Sequence, residues 1–214
     1  MDESLLADPG PDLTSRVAAR LVAAGHGADA VLCTCSTIGA VAESLADMVG
    51  RPVVRIDRPM ARAAVRLARD VQLDGADGGA AGGSAGSRGS RGSGGVIGVV
   101  AAVPSTLAPT ESLLREVAAS SGASVGLRML PCPEAWPLFL RGDQDAYLDE
   151  IAALLRRSDD GTVSVFVLAQ ASMAAAAERC ADLSVPVLSS PALAAAELLR
   201  VAGSSTSDRS VAEQ

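Results

Sequence analysis

The apolar positions of this chain fall into short blocks that alternate between two periods. Val31-Leu-Cys33, Pro52-Val-Val-Arg-Ile56, Val96-Ile-Gly-Val-Val100 and Val185-Pro-Val-Leu188 are near-continuous apolar runs, as are most of 124–130 and 162–168. Such runs fit strands covered on both faces. Between them, apolar residues recur at helical spacing. Val17, Leu21 and Ala24 mark a helix over 13–24, and Ile38, Val41, Ala42, Leu45 and Met48 mark one that starts at Ser36 or Thr37. Further helices are predicted from the Asp57-Arg-Pro-Met60 turn to 71, and over 109–119, 136–140, 143–157, 172–183 and 191–201. Strands alternating with helices predict an α/β fold built on parallel sheets.

One unit of this pattern occurs twice. With Phe166 set under Val31, Glu43 falls on Glu178, Ala46 on Ala181 and Asp47 on Asp182. One residue of slippage then brings Pro52-Val-Val54 onto Pro186-Val-Leu188. The repeat predicts two similar parallel-sheet lobes, 1–73 and 96–190, with the helix over 191–201 completing the first. Between them, 74–95 holds Gly, Ser, Ala, Asp and Arg without a large apolar residue, which predicts a flexible linker or insertion. Its Gly82-Gly-Ser-Ala-Gly86 string and the glycines over 78–83 imitate catalytic loops, but no strand and helix flank them. The tail over 203–214 is predicted to be disordered.

Composition narrows the chemistry. All 18 basic residues are arginine, so a lysine Schiff base and a standard P-loop are both excluded. The single histidine, His26, sits in a Gly-His-Gly turn, which argues against a histidine-rich metal site or a Ser-His-Asp triad. The cysteines at 33, 35, 132 and 180 lack zinc-like spacing and are expected as reduced thiols in a cytoplasmic protein. A net charge of −7 argues against nucleic acid as a partner, and no apolar run is long enough for a membrane span. Thiol, hydroxyl and carboxylate chemistry remains, with no cofactor and no metal.

Parallel sheets bring the residues that follow each strand to one edge. Those residues are Cys35-Ser36-Thr37, Asp57, Ser105-Thr106, Gln170-Ala-Ser172 and Ser189-Ser190. Small hydroxyls ahead of helices, with backbone N–H groups beside them, form a cradle for a carboxylate. Cys35 is the reactive side chain in this set, at a predicted helix N-terminus that favours its ionised form. In the repeat it lies over Gln170.

The ordered set Val31-Leu-Cys-Thr-Cys-Ser-Thr37, Pro52-Val-Val-Arg-Ile-Asp-Arg-Pro-Met60, Ile97-Gly-Val-Val-Ala101 with Ser105-Thr106, and Val167-Leu-Ala-Gln-Ala-Ser-Met173 resembles the aspartate/glutamate racemase superfamily. The resemblance implies two similar α/β lobes with the site in the cleft between them, and dimers are common in the family. It implies a pair of cysteines, one thiolate taking the α-proton and the other thiol returning one to the opposite face. Cys35 matches the first position, whereas Gln170 replaces the second, and an amide exchanges no proton near neutral pH. The expected function is therefore a cofactor-independent, cysteine-dependent isomerase or racemase-like enzyme acting on a small carboxylate or amino acid. Cys35 and Gln170 are its catalytic candidates, and Ser36, Thr37, Ser105, Thr106 and Ser172 its substrate-binding candidates. The alternatives are a single-thiol, decarboxylase-like lyase and a non-catalytic carboxylate-binding remnant. Relatives of this kind open with a strand and helix ahead of the segment resembling Asp2-Glu-Ser-Leu-Leu6, so either a misassigned or alternative start, the favoured expectation, or a truncated relative with an open sheet edge is expected here.

Overall fold

A computed structural model describes residues 11–77 and 94–212. The opening segment over 2–6 and the glycine motifs within 78–93 lie outside the described residues. The rest falls into two compact units, one running to Met60 and resuming at Ser190, the other spanning Ala61–Ser189.

In the first unit, helix α1 (Pro11–Gly25) precedes strand β1 (Val31–Cys33), which pairs in parallel with β2 (Val53–Arg55), Val31 opposite Val53. Val17, Leu21, Val31, Cys33, Ala42 and Leu45 form the core of this unit. Ala24, expected inside, is exposed, because α1 buries the i, i+4 row of Val17, Leu21 and Gly25 instead.

The continuous helix expected after β1 is broken. A 3-10 turn at Ser36–Ile38 leads into α2 (Gly39–Ser44), and α3 (Ala46–Val49) follows across Leu45, whose ψ of 4° departs from the helix. That break shifts the phase of the last turn, so Met48, expected inside, is 63% exposed. Gly50 ends α3 in the left-handed region at φ 65°, a conformation glycine adopts at little cost. Helix α4 (Arg58–Asp77) then runs past its expected end near 71, and the division between the units falls inside it, after Met60.

The second unit holds β3 (Val96–Ala101), α5 (Leu107–Ser120), β4 (Gly126–Pro131), α6 (Ala135–Leu140), α7 (Gln144–Ser158), β5 (Val163–Leu168) and β6 (Val187–Ser189). Its strands form one parallel sheet in the order β4-β3-β5-β6. Phe166, Ile151, Leu155, Leu168 and Met173 are fully enclosed in its core. Gly98 lies opposite Phe166 in the register, and a Cβ there would come within 2.5 Å of the ring, so glycine is what lets the ring lie across β3.

The helix expected over 172–183 is absent. Ala171–Ala176 and Glu178–Cys180 are 3-10 turns, with Met173, Ala176 and Cys180 buried. A 3-10 turn eclipses i and i+3, which brings Met173 and Ala176 onto one line. The repeat survives at atomic detail. Val31 N–H donates to the Pro52 carbonyl at 2.9 Å, and Phe166 N–H donates to the Pro186 carbonyl at 2.9 Å. The pairing of Val31 with Val53 recurs as Phe166 with Val187.

The last helix, α8 (Ser190–Ala212), continues well beyond the expected end at 201. Polar composition read as disorder is compatible with a helix here, since Arg200 pairs with Glu197 one turn back and Ser204 donates to the Arg200 carbonyl at 3.0 Å. No helix among the described residues is long and apolar enough to cross a membrane.

Candidate functional site

Strand β1 ends between the two thiols, so Cys33 lies inside the strand and Cys35 two residues beyond it. Cys33 is buried, with Sγ 3.7 Å from the Cys35 carbonyl, whereas Cys35 is exposed in extended conformation at φ −104°, ψ 111°. Cys132 and Cys180 are buried as well, which leaves Cys35 as the exposed member of the four. Burial pushes the thiols of Cys33, Cys132 and Cys180 upward from their ordinary range. Cys35 heads the three-residue 3-10 turn of Ser36–Ile38 and forms no side-chain cap bond. Ser36 and Thr37, expected to cap a helix, are half-buried residues of that turn. Cys35 therefore adjoins a single 3-10 turn and not the N-terminus of the continuous helix expected there.

Beneath this edge lies an ion network that the apolar reading of Pro52–Ile56 concealed. Arg55 is 3% exposed and donates through Nε and Nη2 to the two carboxylate oxygens of Asp57, at 2.7 and 3.0 Å. Asp57, expected among the groups at the strand-end edge, is itself 1% exposed. Glu43 lies 3.5 Å from Arg55 Nη1 and takes a second, two-pronged contact from Arg58. Burial works most strongly against the Arg55 charge, but the hydrogen bonds to Asp57 together with the charges of Asp57 and Glu43 outweigh it and hold its pKa above the ordinary value. The network approaches α2 so closely that a Cβ at Gly39 would stand 2.8 Å from Arg55 Nε. An arginine inside an apolar strand run, with an aspartate two residues on, was the available signal.

In the second unit the candidates gather at the carboxyl ends of β3 and β5. Gln170 is extended, at φ −123°, ψ 136°, and its Oε1 accepts from the backbone N–H groups of Ala102 and Val103 at 2.7 and 2.9 Å. Only the carbonyl end of an amide can meet two N–H donors, so Gln170 engages this pair with its oxygen and not with its NH2 end. Thr106 directs both its hydroxyl, at 2.7 Å, and its N–H, at 3.0 Å, to the Val103 carbonyl. Ser105 stands half-buried on the same 3-10 turn, Pro104–Thr106. Ser172 shares a 2.9 Å hydrogen bond with the phenol of Tyr147, a fully buried side chain of α7.

Helix α7 braces the 3-10 segment that follows Gln170. Beyond the Tyr147 contact, Arg156 pairs with both carboxylate oxygens of Asp182 at 3.0 and 2.9 Å, and Arg179 reaches back to Asp145 and Asp149. The hydrogen bonds from Arg156 hold the Asp182 carboxyl below its usual range. Phe139 stacks on Trp136 and tilts against Tyr147, with centroids 5.0 and 5.1 Å apart. The sequence reading missed this brace because its partners are far apart in the chain.

Among the described residues, no group of three or more His, Cys, Asp and Glu is placed to hold a metal ion. A cavity of about 420 Å³ lined by Ala46, Asp47, Gly50, Arg51 and Pro52 lies at the amino end of β2, opposite the Cys35 edge.

The class these parallel-sheet α/β units fall in is set by likeness to solved structures: this is a racemase-like fold. Glutamate racemase isoform RacE1 from Bacillus anthracis matches 90% of this chain at a TM-score of 0.54 and 17% identity. Allantoin racemase from Klebsiella pneumoniae matches 89% at a TM-score of 0.55 and 16% identity. This chain spans 66% of the length of each, just under two thirds. No family model matches the sequence, and no curated protein does. The likeness is one of fold.

Proposed function

We propose that this chain is a cofactor-independent enzyme of the racemase and isomerase kind, acting on a small carboxylate or amino acid through the thiol of Cys35. The observation that carries this reading is the position of Cys35 within a racemase-like fold. It is the exposed cysteine, held extended between a parallel strand and a 3-10 turn. Ser36 and Thr37 adjoin it and supply hydroxyls for a carboxylate. Gln170 takes the equivalent extended place in the second copy of the repeat. With an amide there instead of a thiol, proton transfer to one face of a substrate is easier than racemisation. A decarboxylase-like reaction ending in protonation at carbon fits that asymmetry.

A second reading, a carboxylate-binding remnant without turnover, draws support from the second unit. There Gln170, whose amide exchanges no proton near neutral pH but can donate through its NH2 end to a carboxylate, stands where the first copy has a thiol.

Labelling of the folded chain with iodoacetamide, in the presence of a panel of amino acids and dicarboxylates, tests the proposal. Cys35 is expected to react ahead of Cys33, Cys132 and Cys180, and one compound is expected to protect it. Cys35→Ala should then abolish turnover of that same compound. Protection without any turnover favours the remnant, and labelling that no compound slows contradicts both readings.

A further inference from the structure

Adjacent strands β3 and β5 send their outgoing connections in opposite directions, β3 toward β4 on one side and β5 toward β6 on the other. In open α/β sheets such a reversal opens a crevice outside the carboxyl ends of the strands, and ligands bind in it. At this reversal the backbone of Ala102 and Val103 turns two successive N–H groups onto one oxygen, Oε1 of Gln170. Two convergent backbone donors on one oxygen form the kind of concavity that holds a carboxylate or an oxyanion.

We propose that the N–H pair of Ala102 and Val103 is a carboxylate-oxygen site, which the amide oxygen of Gln170 fills until a small carboxylate displaces it. Three features fit an exchangeable occupant. Gln170 is half-buried, so its side chain has a route to water, where both ends of the amide are satisfied. The pair itself is held in place, since Thr106 bonds the Val103 carbonyl twice and Ala102 is 1% exposed. A carboxylate oxygen, being charged, accepts hydrogen bonds roughly twice as strong as those of an amide oxygen, which gives the ligand the means to compete. The inference concerns the second unit alone. It shares the ligand class of the proposed function and depends on no chemistry at Cys35.

The test is a titration of the full, isotope-labelled chain with sodium acetate, followed by the backbone amide resonances of Ala102 and Val103 and the side-chain NH2 of Gln170. In the wild type all three are expected to shift and saturate together, whereas acetamide, the neutral isostere, leaves them in place. In Gln170→Ala, with the competitor gone, the two backbone signals should saturate at several-fold lower acetate. In Gln170→Glu, whose own carboxylate fills the site, they should no longer respond. The wild-type and Gln170→Glu arms decide the matter even where Gln170→Ala fails to fold. No wild-type response to acetate makes Gln170 a fixed brace and overturns the proposal, and so does an equal response to acetamide.

Discussion

Arg55 shows what a single buried charge demands of its surroundings. A guanidinium at 3% exposure needs counter-charges within reach, and it has them in Asp57 and Glu43. Removing one partner of a buried pair leaves the other charge uncompensated, so Asp57→Ala should cost about 3–5 kcal/mol in urea unfolding, with Glu43 keeping it toward the lower end. Gly39→Ala should cost about 1–3 kcal/mol, because its Cβ meets a guanidinium that Asp57 holds in place. The cost of Gly39→Ala should shrink when Arg55 is also replaced by methionine, which a double-mutant cycle reads directly.

The buried thiols set a pH dependence of their own. Burial raises Cys33, Cys132 and Cys180 above their ordinary 9.0, and it raises Tyr147 above 10.0. In the unfolded chain these groups ionise near their ordinary values, while the folded chain keeps them neutral. Their contribution to stability is complete below those ordinary values and is lost as pH rises through the raised folded values. Melting temperatures should therefore fall from pH 9 to 11. Replacing Cys132 with alanine should flatten that decline.

At the scale of elements, the six strands among the described residues were legible, because each is a short, largely apolar run with its own boundaries. The helices after β1 and β5 were not, and the reason is specific. Both segments are rich in alanine and carry helical spacing, but propensity is a weak prior where packing decides the geometry. Leu45 breaks the first, and the burial of Met173, Ala176 and Cys180 draws the second into 3-10 turns. Cys35 could be picked out as the thiol at a strand end. The hydrogen bonds of Gln170, Thr106 and Ser172 could not, since each is set by a neighbour that only the folded chain supplies.

The brace from α7 carries an element-scale prediction. Arg179→Ala removes the contacts to Asp145 and Asp149, which are exposed and so contribute little to global unfolding. Its effect should be local. Amide exchange over 171–182 should speed up while the melting temperature hardly moves, and high salt should produce the same acceleration in the wild type.

For the whole molecule, the repeat made the fold readable and the asymmetry between its copies makes the function a question of chemistry. The same strand, extended residue and 3-10 turn end in a thiol at Cys35 and in an amide at Gln170. A formal charge of −7 offers an anion no general attraction, so the proposed carboxylate ligand would depend on local donors and charges. Proton transfer at carbon, the step shared by racemisation and by the protonation that follows decarboxylation, leaves one common trace.

That trace is deuterium. Amino acids and small mono- and dicarboxylates incubated with the full chain in deuterated water, and followed by proton NMR, test the central claim most directly. One compound is expected to take up deuterium at carbon, and Cys35→Ala should slow that uptake by at least about 100-fold, the lower bound for losing a general acid–base group. Uptake that persists in Cys35→Ala, or uptake by no compound in the panel, would contradict a catalytic thiol at this position.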